Sequence, residues 1–226
     1  MLQRKHLSLT YLDLPPATQE ENAPIMILLH GYGSNEKDLM QLAPQLPGGL
    51  HYISARAPHT LDVGMFGWFP LEFTREGITV DYQAANEARL QLIGFIRDII
   101  AEYHPMGNKV FLMGFSQGSV MSYMTAFSEP ELLHGVIACS GQLPEKIGLD
   151  EAARQTLQKV PFLVMHGMYD DILPIAKWRA SEEWLKLHLE DLTYQEYPIA
   201  HQIAQNGIAL IHAWLEKRVA KIESGE

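Results

Sequence analysis

Short apolar runs alternate along this chain with longer stretches in which apolar residues recur every three or four positions. The runs at 25–29, 52–55, 110–113, 136–139, 162–165 and 193–197 read as strands. Several are continuous, as expected where both faces of a parallel sheet are covered. At 7–12, Leu7, Leu9 and Tyr11 alternate with Ser8 and Thr10, the two-residue period of a strand. The clearest helix is Tyr82–Tyr103, where Ala84, Ala88, Leu92, Phe95, Ile96, Ile99, Ile100 and Tyr103 fall on one stripe. Residues 119–127, 176–189 and 203–217 are helical in spacing too. This alternation predicts an α/β fold: a mostly parallel central sheet flanked by helices on both faces.

Three stretches stand outside the pattern. Residues 15–24, with Pro15, Pro16 and Pro24, read as a loop, and 221–226 as a frayed end. Residues 58–77, rich in Gly, Pro and aromatics, are too irregular for an element and too apolar for a solvated loop. Long connections of that kind are often functional. No repeat or linker divides the chain, so 1–226 is expected to be a single domain, with no insertion large enough for a lid domain.

The formal net charge of −10 argues against nucleic acid or an anionic membrane as a partner, and no Lys/Arg cluster reverses it locally. No apolar run is long enough to span a bilayer, so stable membrane insertion is not expected. Arg4 and Lys5 are followed by strand-like alternation, not the apolar core of a signal peptide. The single cysteine, Cys139, excludes an intrachain disulfide and fits a cytoplasmic location. It lies in an apolar run with no activating neighbour and reads as core.

The chemistry is concentrated in Gly114-Phe115-Ser116-Gln117-Gly118. This G-x-S-x-G follows a strand-like run and opens into a helical one, the setting of a nucleophile elbow. A serine hydroxyl needs a base, and the base needs an acid to orient it. In the chain order Ser, Asp, His, the candidates are Ser116, Asp170 and His201. Each falls just past a predicted strand, where open α/β sheets build their sites. Asp171 reads instead as a cap or loop residue, and His166, which ends a strand, as a packing residue. No histidine pair has metal-ligand spacing, so no metal is expected.

After the buried run at 25–29 comes His30-Gly31-Tyr32-Gly33, a turn able to aim backbone N–H groups at a developing oxyanion. The natural donors are the N–H groups of Tyr32 and Gln117.

Taken together, Leu29-His30-Gly31-Tyr32-Gly33, the elbow, His166-Gly167-x-x-Asp170-x-x-x-Pro174 and the late His201 resemble the phospholipase/carboxylesterase family of α/β-hydrolases, which includes bacterial carboxylesterases and acyl-protein thioesterases. The resemblance implies a single-domain α/β-hydrolase fold, with Ser116 as nucleophile, Asp170 as orienting acid, His201 as general base, and Tyr32 and Gln117 as oxyanion donors. It implies a small-molecule ester or thioester substrate and no cofactor. Trp68-Phe69 matches a Trp-Phe step beside the family's site, which would assign Met65, Phe66, Trp68 and Phe69 to an acyl-binding wall; core packing explains these aromatics equally. Aromatics over 66–73 could equally form a homodimer contact. Met168, Asp171 and Ser119 depart from the family's usual residues, and 197–201 lacks the usual glycine.

Overall fold

The computed structural model describes residues 1–18, 22–74, 77–144 and 151–224. An antiparallel pair opens the chain, β1 (Gln3–His6) and β2 (Thr10–Leu14), followed by β3 (Ile25–Leu29) and β4 (His51–Ala55). Two small hairpins come next: β5 (His59–Asp62) with β6 (Met65–Gly67), and β7 (Leu71–Thr74) with β8 (Gly77–Val80). The remainder alternates: α1 (Tyr82–Tyr103), β9 (Val110–Phe115), α2 (Gln117–Ser128), β10 (Leu133–Cys139), α3 (Glu151–Leu157), β11 (Phe162–Gly167), α4 (Ile175–His188), β12 (Leu192–Tyr197) and α5 (Gln205–Ser224).

Eight strands form one sheet in the order β1-β2-β4-β3-β9-β10-β11-β12. All pairings from β4 to β12 are parallel; β1 and β2 complete one edge antiparallel. The two-residue period of each strand sorts its side chains into two cores. Ile25, Ile27 and Leu29 of β3 face one way, with Leu112, Val136 and Val164, against Leu92, Phe95 and Ile96 of α1, Met121 and Tyr123 of α2, and Trp178 of α4. Met26 and Leu28 face the other way, with Met113, Ile137 and Leu163, against Ile211, Trp214 and Leu215 of α5 and Leu39 and Met40 of a 3₁₀ segment at Leu39–Gln45. Two apolar cores on one sheet explain why the strands read as unbroken apolar runs.

Helix α1 begins at Asp81, whose carboxylate accepts the N–H groups of Gln83 and Ala84, and it ends at His104 in a left-handed conformation.

Three expectations need correction. The strand placed at 7–12 straddles the turn of the β1–β2 hairpin, because Leu9 tucks into the core from within that turn. Within 58–77, where residues 75–76 lie outside the described residues, His59–Gly67 form a hairpin, β6 being tied into the protein by paired Ser34 and Phe66. Helix α5 runs on to Ser224, with Ile222 packed against the core in the stretch where fraying was expected. Part of the 15–24 loop, and residues 225–226, lie outside the described residues.

Candidate active site

Ser116 stands between the end of β9 and the first residue of α2 with φ 53° and ψ −117°, a strained conformation for a residue with a Cβ. The strain is enforced by packing on every side. Its N–H donates to the Cys139 carbonyl at 2.9 Å. A Cβ on Gly118 would lie 2.0 Å from the Leu29 carbonyl oxygen, and one on Gly114 2.2 Å from the Gly118 backbone. Only glycine at both positions lets α2 start this close to β3 and β9. Ser119, where the family usually has glycine, is wholly buried and sets its Oγ 2.7 Å from the carbonyls of both Gly114 and Cys139. It thereby ties the ends of β9 and β10 together beneath the turn.

His201 reaches Ser116 from the loop after β12. Its Nε2 lies 2.9 Å from Ser116 Oγ and its Nδ1 2.7 Å from Asp170 Oδ2. A carboxylate only accepts, so Nδ1 carries the proton and donates to Asp170, leaving Nε2 to accept from the serine hydroxyl. Asp170 is buried after β11, and its Oδ1 accepts the N–H groups of Ile172 and Leu173 at 3.0 and 2.8 Å. The two loops are joined beyond the strands: Met168 N–H donates to Tyr197 and Tyr169 N–H to Ile199. A Cβ on Gly167 would sit 2.2 Å from the Ala200 carbonyl oxygen, so the loops close only over glycine. The glycine that lets these loops close is therefore the last residue of β11, on the acid's side, and not within 197–201.

The turn after β3 lies beside the elbow: a Cβ on Gly31 would be 3.4 Å from Ser116 Cβ. The N–H of Gln117 belongs to the first turn of α2, where backbone donors have no intrahelical acceptor. The N–H of Tyr32 follows Gly31. Gly31 thus borders Ser116, and Gln117 follows it in the chain.

The remaining expected site residues divide. Met65 is 44% exposed and Phe66 part-buried, with the Arg56 guanidinium 4.5 Å over the Phe66 ring. Trp68 and Phe69 are 0% and 1% exposed and belong to the core. They are held there by the buried Gln117 side chain, which accepts from Trp68 N–H and donates to the Phe69 carbonyl. The side chain of Phe73, in the stretch considered for a dimer contact, lies outside the described residues.

His166 reads in the sequence as a packing residue at the end of a strand. It is buried, its Nε2 is 2.8 Å from the Leu173 carbonyl and 3.4 Å from Asp170 Oδ2, and its ring stacks on Trp178 at 4.7 Å. Burial lowers its pKa, which favours the neutral ring, whose Nε2–H donates to the Leu173 carbonyl beside Asp170. The His-Gly-x-x-Asp spacing held this signal, because it places the imidazole one short loop from the carboxylate. Met168, Tyr169 and Ile172 were missed; they are exposed on the loop that bears Asp170. Cys139 is buried, and burial pushes its thiol up to about 12, which removes it as a rival nucleophile. Among the described residues, no group of His, Cys, Asp and Glu is arranged to hold a metal ion.

A nucleophile-elbow turn on a largely parallel sheet covered on both faces defines an α/β-hydrolase. The chain belongs to the phospholipase/carboxylesterase family, whose profile matches residues 16–219, and is a serine hydrolase. It is 30% identical over 232 residues to acyl-protein thioesterase 1 of Emericella nidulans, covering 93% of this chain and 95% of that one. Among solved structures, esterase PE8 superposes with a TM-score of 0.74 at 26% identity, over 96% of this chain and 98% of the other. The Bacillus cereus carboxylesterase superposes with a TM-score of 0.79 at 21% identity, over 93% and 94%, a likeness of fold. Among the described residues no helix is long and apolar enough to cross a membrane.

Proposed function

We propose that this chain is a cytoplasmic esterase that hydrolyses carboxylic esters with short to medium acyl chains through an acyl-enzyme on Ser116. The observation that carries the reading is the continuous pair of bonds from Ser116 Oγ to His201 Nε2 and from His201 Nδ1 to Asp170 Oδ2. His201 takes the hydroxyl proton as Ser116 Oγ attacks the carbonyl carbon. The carbonyl π electrons move onto oxygen, and the N–H groups of Tyr32 and Gln117 stabilise that oxyanion. Asp170 holds the imidazole in its Nδ1–H form and stabilises the imidazolium. Collapse breaks the bond to the alcohol, which leaves with the proton from His201. Water then gives a proton to His201 as its oxygen attacks the acyl carbonyl carbon; this second tetrahedral intermediate collapses by breaking the bond from the acyl carbon to Ser116 Oγ, which takes the proton back from His201 as the carboxylic acid leaves. No cofactor enters these steps. Met65 and Phe66 form the apolar wall for the acyl chain.

A second reading, hydrolysis of thioesters on acylated proteins, is favoured by the acyl-protein thioesterase 1 relative, which aligns over nearly the whole chain. The same triad serves both, since only the leaving atom differs.

The test is hydrolysis of p-nitrophenyl esters from acetate to palmitate, beside an S-acyl thioester series, with wild type and Ser116→Ala. Serine-dependent turnover peaking at short or medium esters is expected, with a loss of about 10⁶-fold in the variant. A preference for long thioesters would transfer the assignment to the second reading. Unchanged turnover in Ser116→Ala would overturn both.

A further inference from the structure

The turn after β3 is fixed by side chains that never reach the substrate. His30 is 0% exposed. Its Nε2 accepts the Ala57 N–H at 3.1 Å, so its proton sits on Nδ1, which donates to the Gly31 carbonyl at 2.8 Å. The Ser34 N–H donates to the same carbonyl. Among the described residues every peptide bond is trans, so the Gly31 C=O and the Tyr32 N–H point in opposite directions. Holding the carbonyl on one side therefore aims the N–H on the other.

The preceding carbonyl, of His30, accepts the Trp68 indole N–H at 2.9 Å. The Trp68 main-chain N–H in turn donates to Gln117 Oε1 at 2.8 Å, and Gln117 Nε2 donates to the Phe69 carbonyl at 2.7 Å. A chain of buried hydrogen bonds thus runs from the Tyr32 peptide through His30 and Trp68 to Gln117. Its two ends are the two residues whose N–H groups serve as oxyanion donors in the esterase reading.

We infer that the side chains of His30, Trp68 and Gln117 are positioning residues of the oxyanion hole, setting the spacing and aim of the Tyr32 and Gln117 N–H groups before substrate arrives. The inference rests on the esterase reading. It gives Trp68 a task that its burial permits, unlike contact with an acyl chain. Donors fixed in advance need no reorganisation as charge develops, and this is the source of their catalytic effect. Small misplacement of such groups is costly to rate and nearly neutral to ground-state binding.

Trp68→Phe removes the indole N–H and keeps an aromatic ring; Gln117→Met removes both amide bonds at similar volume. Each is compared with wild type in kcat and KM on the best p-nitrophenyl ester, in Ki for a trifluoromethyl ketone of the same acyl length, and in Tm. The ketone adds to the serine as a tetrahedral oxyanion, so its Ki reports on the hole itself. The expected result is a fall in kcat of about 10- to 100-fold, a parallel rise in Ki, and KM held within about threefold. A lowered Tm with kcat and Ki unmoved, or a rise in KM alone, would reduce these residues to core packing and overturn the inference. Should Gln117→Met fail to fold, Trp68→Phe decides alone. A wild type without turnover on any ester or thioester overturns the esterase reading and this inference with it; an active wild type with unmoved variants overturns the inference alone.

Discussion

At the scale of single residues, the site depends on groups whose partners are backbone atoms. Ser116, Asp170 and His201 could be singled out in the sequence because G-x-S-x-G and the Ser, Asp, His order point to that chemistry, and the structure brings the three side chains into one line. The particular bonds of Ser119 and His166 could not be read in advance, because they go to the carbonyls of Gly114, Cys139 and Leu173, which no side-chain pattern announces. Trp68 was open for a related reason: a Trp-Phe step near the site reads equally as wall or as core until its burial is known. His166 yields a definite expectation. In His166→Leu the Leu173 carbonyl loses its donor and Asp170 loses the imidazole packed beside it. An unpaired buried acceptor costs about 1–3 kcal/mol. At roughly 2–4 °C per kcal/mol for a chain of this size, thermal unfolding should shift down by several degrees. Turnover should fall about tenfold through loosened hold on Asp170. Calorimetry and steady-state kinetics on the purified variant check both; a variant as stable and as fast as wild type would remove His166 from the account.

At the scale of elements, periodicity located what local sequence controls. The stripe of α1 fixed the extent of that helix, and apolar runs located β3, β9, β10 and β11 because both sheet faces are covered. It failed where pairing is decided by distant chain. The β1–β2 turn contains an inward Leu9 that continues the strand-like alternation, hiding the reversal. The β5–β6 hairpin holds its place through Ser34 and Gly33, whose N–H donates to Phe66 at 2.9 Å, a partner far off in sequence. The elbow shows the same dependence in miniature. Gly118→Ala would drive a methyl group to 2.0 Å from the Leu29 carbonyl oxygen, with only main chain to give way. Separation of α2 from β3 would displace Ser116 as well, so turnover should be lost together with a Tm drop of many degrees. Circular dichroism melting and ester hydrolysis test this, and an alanine variant with normal kcat would show that the close approach is dispensable.

At the scale of the molecule, two buried carboxylates anchor the β1, β2 and β4 side of the sheet. Burial pushes Glu36 upward, but hydrogen bonding and charge from Arg56, with Arg4 adding to it, hold it at about 2. Burial likewise raises Asp13, and His51 and Lys5 bring it down to about 2. Both folded-state values lie below the ordinary 4.5 and 3.8. The unfolded chain therefore binds more protons across that window, and stability falls as pH drops from the ordinary carboxylate range towards 2. Above it the contribution is complete. Glu36→Gln should be less stable than wild type at pH 7, with the gap closing towards pH 2. Urea midpoints across that range measure it; a constant gap at every pH would show that Glu36 does not titrate with folding.

The central claim is that Ser116, activated by His201, is the atom that takes the acyl group. Incubation with a fluorophosphonate, followed by intact-mass measurement and peptide mapping, tests it most directly. One adduct per chain is expected, on Ser116, formed far more slowly in His201→Ala. An adduct on another residue, or ester turnover that survives complete labelling of Ser116, would contradict it.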